Sequence, residues 1–129
     1  MFAQKVLFAV VASLLIITCD TSDSLKGRYT RLKDPAMNTL MEFKSSEINH
    51  DYSVFFEIPT EYWAQEIQDE NPIRVYAHYN NIAIVFEDGE SYEEGIYFHL
   101  PLSSYMPQDT EILDFREIEQ DIYSFRMYK

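Results

Sequence analysis

An alternation of apolar and polar residues recurs along most of this chain and limits the folds that it can adopt. Over residues 73–79, every second side chain is apolar, from Ile73 to Tyr79. A period of two places such side chains on one face of an extended strand. The same alternation occurs over residues 27–33, 37–43, 52–58, 82–86, 96–100 and 123–127, most weakly over the first of these. The pattern predicts a mainly β fold, with α+β as the alternative: a small antiparallel sheet, sandwich or barrel of about six to seven strands.

Two of these segments are separated only by Asn80 and Asn81, which predicts a tight hairpin. Asparagine tolerates the left-handed backbone conformation that the central residues of a two-residue turn require. With the turn at these positions, Arg74 on the first strand lies opposite Glu87 on the second as a cross-strand ion pair. The apolar residues of both strands then share the other face of the sheet.

One short helix is predicted near residues 60–70. Thr60 can cap its start, and Asn71 followed by Pro72 would end it, because proline disfavours helical backbone in the residue before it. The apolar positions of residues 110–119 fit either a helix or a strand, and both assignments stay open.

The first 18 residues have the features of an export signal. Lys5 is the only charged residue before Asp20, and residues 6–17 are apolar apart from Ser13. A helix needs about 20 apolar residues to cross a membrane, so this run is too short to span one. It is typical of a signal peptide, which we predict over residues 1–18.

Cys19 is the only cysteine, so a disulfide within one chain is excluded. The preceding residues, Leu15-Ile16-Ile17-Thr18, together with Cys19 resemble the lipobox of bacterial lipoproteins, in which aliphatic residues and then a small residue precede the lipidated cysteine. The resemblance implies acyl chains such as palmitate on Cys19 and a lipid anchor in the bacterial cell envelope, on the periplasmic or the surface side. Residues 19–25 then form the lipidated cysteine and a polar tether, and residues 26–129 form a single β-rich domain.

The charge balance restricts the partners of this domain. Ten basic side chains against 22 acidic ones give a formal net charge of −12. Nucleic acid and anionic membrane surfaces would repel such a domain, so no nucleic-acid partner is predicted. The predicted partners are the membrane, through the N-terminal lipid, and an envelope protein or another cationic molecule.

Aromatic and histidine side chains supply the candidate recognition surface. If residues 95–100 form the strand that follows the hairpin, one sheet face carries four of these side chains: Tyr76, His78, Tyr97 and His99. That face is too apolar to lie wholly in water. That face is predicted to form the wall of a cleft, unless a helix covers it. The binding candidates are Trp63, Tyr76, His78, Tyr97 and His99.

Neither a metal nor a cofactor is predicted. The three histidines lack the spacing of known metal motifs, although His78 and His99 could lie on one face. The acidic run over residues 87–95 lacks the alternating carboxylates of an EF-hand loop, so a solvated hairpin tip is expected there.

No catalytic residue is predicted, because the serines lie in no nucleophile motif and no glycine-rich phosphate loop is present. The chain is therefore expected to be a lipid-anchored envelope module that binds a protein or a small ligand. More specifically, the chain is expected to be an acidic inhibitor or immunity protein that acts against a basic enzyme or toxin. The alternative is a small envelope hydrolase with an unrecognised carboxylate site.

Overall fold

The computed structural model describes residues 27, 29–46 and 53–129 of the chain. The predicted signal peptide, the lipid site at Cys19 and the tether over residues 19–25 lie outside the described residues. Within the described ranges, no helix is both long enough and apolar enough to cross a bilayer.

Six antiparallel strands form one sheet, which confirms the mainly β fold. They are β1 (Phe56–Glu57), β2 (Arg74–His78), β3 (Asn81–Asp88), β4 (Tyr92–Phe98), β5 (Leu113–Glu119) and β6 (Ile122–Tyr128). Their order across the sheet is β1-β2-β3-β4-β6-β5, so β1 and β5 lie at its edges. Residues 110–119, which fitted two assignments in the sequence, contain the whole of strand β5.

Residues 29–46 form one helix, α1, so the two strands predicted over residues 27–33 and 37–43 are wrong. Met41, which the strand pattern places on the same face as Phe43, is 48% exposed. The buried apolar side chains of α1 instead recur at the helical spacing of three or four residues: Leu32, Ala36, Leu40 and Phe43. The segment fits both periods locally, and the helix is formed because its apolar stripe packs against the sheet.

Helix α1 crosses one face of the sheet, which we call the helix face. At one end, Lys33 Nζ lies 3.2 Å from Asp121 Oδ2 in the β5–β6 turn. Near the other end, Lys44 Nζ donates to Asn80 Oδ1 at 2.6 Å in the β2–β3 turn. The main core lies between the apolar stripe of α1 and the sheet residues Val75, Ala77, Ile82, Ile84, Ile96 and Phe98.

The predicted hairpin of β2 and β3 is present, but its turn lies one residue earlier than predicted. Tyr79 and Asn80 are the central residues, with φ angles of 49° and 64°, and His78 pairs with Asn81 across the ladder. Two successive positive φ angles are typical of the tight turns that connect antiparallel strands. Asn81 lies in strand β3 because its side chain is fully buried and hydrogen-bonded there.

The shifted turn changes the cross-strand partners of β2. Arg74 pairs with Val85, so the predicted pairing of Arg74 with Glu87 is wrong. The displacement is two ladder positions, and an even shift leaves every side chain on its predicted face, because successive side chains alternate between faces. Val75 and Ala77 are accordingly both buried on the helix face.

The helix predicted near residues 60–70 is present in two short pieces. A 3-10 turn covers Thr60–Tyr62, and helix α2 covers Gln65–Asp69. No side chain caps either piece, so the capping role predicted for Thr60 is wrong. Helix α2 ends at Asp69, and Asn71, which was predicted to stop the helix, follows it with a left-handed φ of 54°.

Candidate functional site

Three of the five binding candidates meet on the sheet face opposite α1, which we call the aromatic face. Tyr76 and His78 belong to β2, and Tyr97 belongs to β4. His78 Nδ1 lies 2.8 Å from Tyr97 Oη, within hydrogen-bond distance. The floor of this face includes Ala83, Val85, Tyr97 and Phe125, which form a second buried cluster.

Asn81 joins His78 and Tyr97 in a buried polar network. Its side-chain Nδ2 donates to Tyr97 Oη at 3.0 Å, and its Oδ1 accepts the backbone N–H of Leu100 at 2.9 Å. All three polar side chains are at most 4% exposed. Such a network stabilises a unique core arrangement, because an unpaired polar group in this position would cost free energy.

Burial disfavours the charged forms of the two titratable groups of this network. It lowers the pKa of His78 to about 4, because the imidazolium form loses its hydration. It also raises the pKa of the Tyr97 hydroxyl well above its usual range, for the same reason. Neither group therefore supplies a charge, and the network has a structural role in the conformation described.

Phe55 covers the centre of the aromatic face. Its ring stacks on His78 with the centroids 4.2 Å apart and lies 6.1 Å from the ring of Phe125. The ring of Tyr105 packs edge-on against His78 from a different direction, at 5.0 Å. His78 and Tyr97 are buried beneath these rings, and a partner could reach them only if the rings moved.

His99 does not join this group and lies beside the β5–β6 turn. Its Nδ1 is 3.3 Å from Asp121 Oδ1, and Lys33 contacts the other carboxylate oxygen. Burial tends to raise the pKa of Asp121, but the hydrogen bonds from His99 and Lys33 outweigh it and hold that pKa below its usual range. His99 Nε2 is buried without a hydrogen-bond partner among the described residues, so this Asp–His pair faces no nucleophile there.

Trp63 lies on the other side of the molecule. Its indole Nε1 donates to the backbone oxygen of Ile58 at 2.9 Å, and its half-buried ring packs against the core beneath α1. Trp63 is therefore separated by the sheet from Tyr76, His78 and Tyr97.

A buried carboxylate, Glu93, was missed by the sequence analysis. It lies in the acidic run over residues 87–95, of which only Gly89, Glu90 and Ser91 form the turn, and it is 6% exposed. Tyr76 Oη donates to Glu93 Oε2 at 2.9 Å, and Arg74 also bonds to this carboxylate.

Arg74 links Glu93 to the end of the sheet. Its Nη1 donates to Asp88 Oδ2 at 3.1 Å as well as to Glu93. Burial raises the pKa of Tyr76, and its hydrogen bond to Glu93 adds to this rise. Arg74 also lies within ion-pair distance of Glu57, so a single arginine contacts carboxylates from three strands and stabilises the buried one, Glu93.

An exposed apolar patch lies at the end of the sheet that carries the β2–β3 turn. We call it the apex patch, and it consists of Tyr79, Leu102, Tyr105 and Met106. The rings of Tyr79 and Tyr105 are stacked with centroids 4.6 Å apart and an interplanar angle of 5°. Leu102 and Met106, in the loop over residues 101–107, are each 57% exposed.

Hydrogen bonds hold the loop of the apex patch against the hairpin turn. The hydroxyl of Ser103 donates to the backbone oxygen of Tyr79 and accepts the N–H of Tyr105 at 3.2 Å. Asn81 Nδ2 also lies 3.4 Å from the backbone oxygen of Tyr105. The buried network therefore continues directly into the scaffold of the exposed patch.

The described residues bring together no group of three or more His, Cys, Asp or Glu side chains that could hold a metal ion. The feature of this arrangement that could bind a partner is the apex patch, an exposed apolar surface held by hydrogen bonds on an acidic domain. Comparison of this chain with protein-family models, with curated proteins and with solved structures finds no match.

Proposed function

We propose that this chain is a lipid-anchored envelope protein that binds a cationic protein through the apex patch, as an inhibitor of or immunity protein against a basic enzyme or toxin. One observation carries the proposal: Leu102 and Met106 are exposed in the loop that also carries Tyr105, and the ring of Tyr105 stacks on that of Tyr79. Exposed apolar side chains grouped in this way are typical of interaction sites.

The scaffold of the patch supports a recognition role. Ser103 bonds to both Tyr79 and Tyr105, so the two halves of the patch are joined before any partner arrives. A preorganised loop loses less conformational entropy on binding than a mobile one, and more of the contact energy then appears as affinity.

The charge of the molecule supports a cationic partner. A formal net charge of −12 produces a field that attracts basic proteins and accelerates their association at low ionic strength. The apolar patch would then supply the short-range contacts, and anchoring at Cys19 would keep the domain at the envelope where such a partner arrives.

Site-specific photo-crosslinking in the producing cells tests this proposal. A crosslinking amino acid replaces Leu102 or Met106 in separate variants, and captured proteins are identified by mass spectrometry. Ile112 gives the matched control, because it is also apolar and 57% exposed but lies beside Tyr128, at the other end of the sheet.

We expect the two patch positions to capture the same basic protein and the control position not to capture it. Met106→Glu should then weaken the complex of purified proteins at least about tenfold, which corresponds to about 1.4 kcal/mol, whereas Ile112→Glu should not. Capture of an acidic protein, or equal capture from position 112, would contradict the proposal.

A further inference from the structure

A groove lies on the part of the helix face that α1 leaves uncovered, over strands β4, β6 and β5. One section has a volume of about 300 Å³ and is lined by Glu94, Asp114, Arg116, Ser124 and Arg126, among others. An adjoining section of about 280 Å³ is lined by Tyr29, Phe86, Glu87 and Ile96, and it shares Glu94 and Ser124 with the first. The two sections adjoin at Glu94 and Ser124, and together they are called the groove; the first section is more polar and the second more apolar.

A β-bulge in strand β3 shapes the apolar section. Val85 pairs with Gly95, but the next pair is Glu87 with Glu94, so one residue of β3 has no counterpart on β4. The extra residue brings the consecutive side chains of Phe86 and Glu87 to the groove. Bulges are over-represented beside binding and active sites because they redirect a side chain in this way.

Two charged groups in the groove have no partner among the residues that the structure describes. Within the described residues, neither the guanidinium of Arg116 nor the carboxylate of Glu87 makes a hydrogen bond or an ion pair, and both are exposed. The charged groups between them are engaged with each other or with a tyrosine. Arg126 Nε bonds Glu94 Oε1 at 3.2 Å, and Tyr128 Oη donates to Asp114 Oδ2 at 2.6 Å.

We propose that this groove binds a short peptide with free termini. The peptide carboxylate pairs with Arg116, its ammonium group pairs with Glu87, and an apolar side chain lies on Phe86 and Ile96. This site is separate from the apex patch and does not depend on the function proposed above.

The sheet register sets the length of the peptide. Glu87 pairs with Glu94 on β4, Glu94 with Arg126 on β6, and Ser124 with Arg116 on β5, so the two unpartnered groups belong to strands three positions apart. Three strand spacings of about 4.8 Å, together with an offset of two residues along the strands (about 7 Å), separate the two backbones by roughly 16 Å. The two side chains extend into the groove and shorten the distance that the peptide has to span. About two to four extended residues, at about 3.3 Å each, fill the remaining distance.

The net charge of the protein favours a ligand that carries both charges. A simple anion attracted by Arg116 would be repelled by the field of a domain with a formal net charge of −12. A zwitterionic peptide has no net charge and is not repelled at long range, while its two ends still form the local ion pairs.

Titration of the full exported domain with the tripeptide Ala-Leu-Ala tests the proposal, followed by two-dimensional amide NMR and by calorimetry. The same peptide with an amidated C-terminus and with an acetylated N-terminus serves for comparison. We expect saturable shifts at Glu94, Ile96 and Ser124 with the free peptide, and at least about tenfold weaker binding for each blocked form.

Two substitutions assign the ends of the peptide. Arg116→Gln should weaken binding of the free peptide about tenfold but leave binding of the amidated peptide unchanged. Glu87→Gln should also weaken binding of the free peptide about tenfold but leave binding of the acetylated peptide unchanged. Arg31→Gln, in an exposed arginine of α1 that does not line this groove, is the control and should change nothing. Equal binding of free and blocked peptides, shifts confined to other residues, or no saturation up to 10 mM peptide (roughly the weakest affinity of interest) would each overturn the proposal.

Discussion

At the scale of single residues, the polar side chains of the interior are those that hold the aromatic face in place. Asn81 connects β3 to Tyr97 and to the backbone of Leu100, and Glu93 is stabilised by Tyr76 and Arg74. Each of these residues would be costly to bury alone, and each is buried with hydrogen-bond partners supplied by another part of the chain.

His78 should make the stability of the fold depend on pH. Its folded-state pKa of about 4 lies below the ordinary value of 6.5, so the unfolded chain takes up a proton more readily as the pH falls. This contribution lowers the free energy of unfolding between about pH 6.5 and pH 4, by about 2 kcal/mol from pH 7 to pH 5.

Urea unfolding of the wild type and of His78→Asn at pH 7 and pH 5 measures this contribution. The variant removes the titrating group, so its loss of stability between the two pH values should be smaller by about 2 kcal/mol. Equal losses in the two proteins would show that His78 is not the group responsible.

At the scale of secondary-structure elements, the edge strand β5 is partly covered by the chain that precedes it. Thr110 N–H donates to the backbone oxygen of Leu113 at 2.8 Å, and Asp109 Oδ1 accepts the N–H of Phe115 at 2.7 Å. These groups occupy positions that a neighbouring strand would otherwise fill. Edge strands that are not covered in such a way are prone to pair with other chains.

Asp109→Ala should therefore expose the edge of β5. We expect the free energy of unfolding to fall by about 1 kcal/mol, because the N–H of Phe115 loses its acceptor. Self-association at high protein concentration should also increase, measured by sedimentation velocity. Glu111→Ala, which removes the same charge from a neighbouring exposed position, is the control, and the same change in both variants would point to charge and not to edge protection.

At the scale of the whole molecule, the charge of the acidic domain restricts how the protein can attach to a membrane. The net charge of −12 would repel an anionic membrane surface, so attachment to the envelope requires a hydrophobic anchor. Two or more acyl chains hold a protein stably because each buried methylene contributes about 0.8 kcal/mol. We predict that such an anchor is attached at Cys19, which follows the lipobox-like residues.

Cys19→Ser should release the domain from the membrane. We expect the wild type to incorporate a fatty-acid analogue during metabolic labelling and to sediment with membranes, and the variant to do neither. Ser13→Cys combined with Cys19→Ser is the control, because it restores a thiol without the lipobox. Label uptake and membrane fractionation that are unchanged in Cys19→Ser would rule out the anchor.

Strands β2, β3 and β6, part of β4 and the short helix near residue 65 were determined by the sequence itself, whereas residues 110–119, which contain β5, fitted a helix as well as a strand. The alternation that predicts β2, β3 and β6 is local, and turn-forming residues such as Asn80 limit these strands. The alternation placed four of the five binding candidates on one face. Three of them, Tyr76, His78 and Tyr97, lie there, whereas His99 lies beyond the end of β4. The alternation does not predict which segments that are remote in sequence lie close together in the fold.

Tertiary structure decided the rest. Residues 29–46 fit both a strand and a helix, and the helix formed because the sheet offered an apolar face for its stripe. The position of the β2–β3 turn depended on the buried partners of Asn81, and the burial of Glu93 depended on Arg74, 19 residues earlier. The contact of Phe55 with His78 is also tertiary. It forms only when the fold brings two segments of the chain together, so no local sequence pattern predicts it.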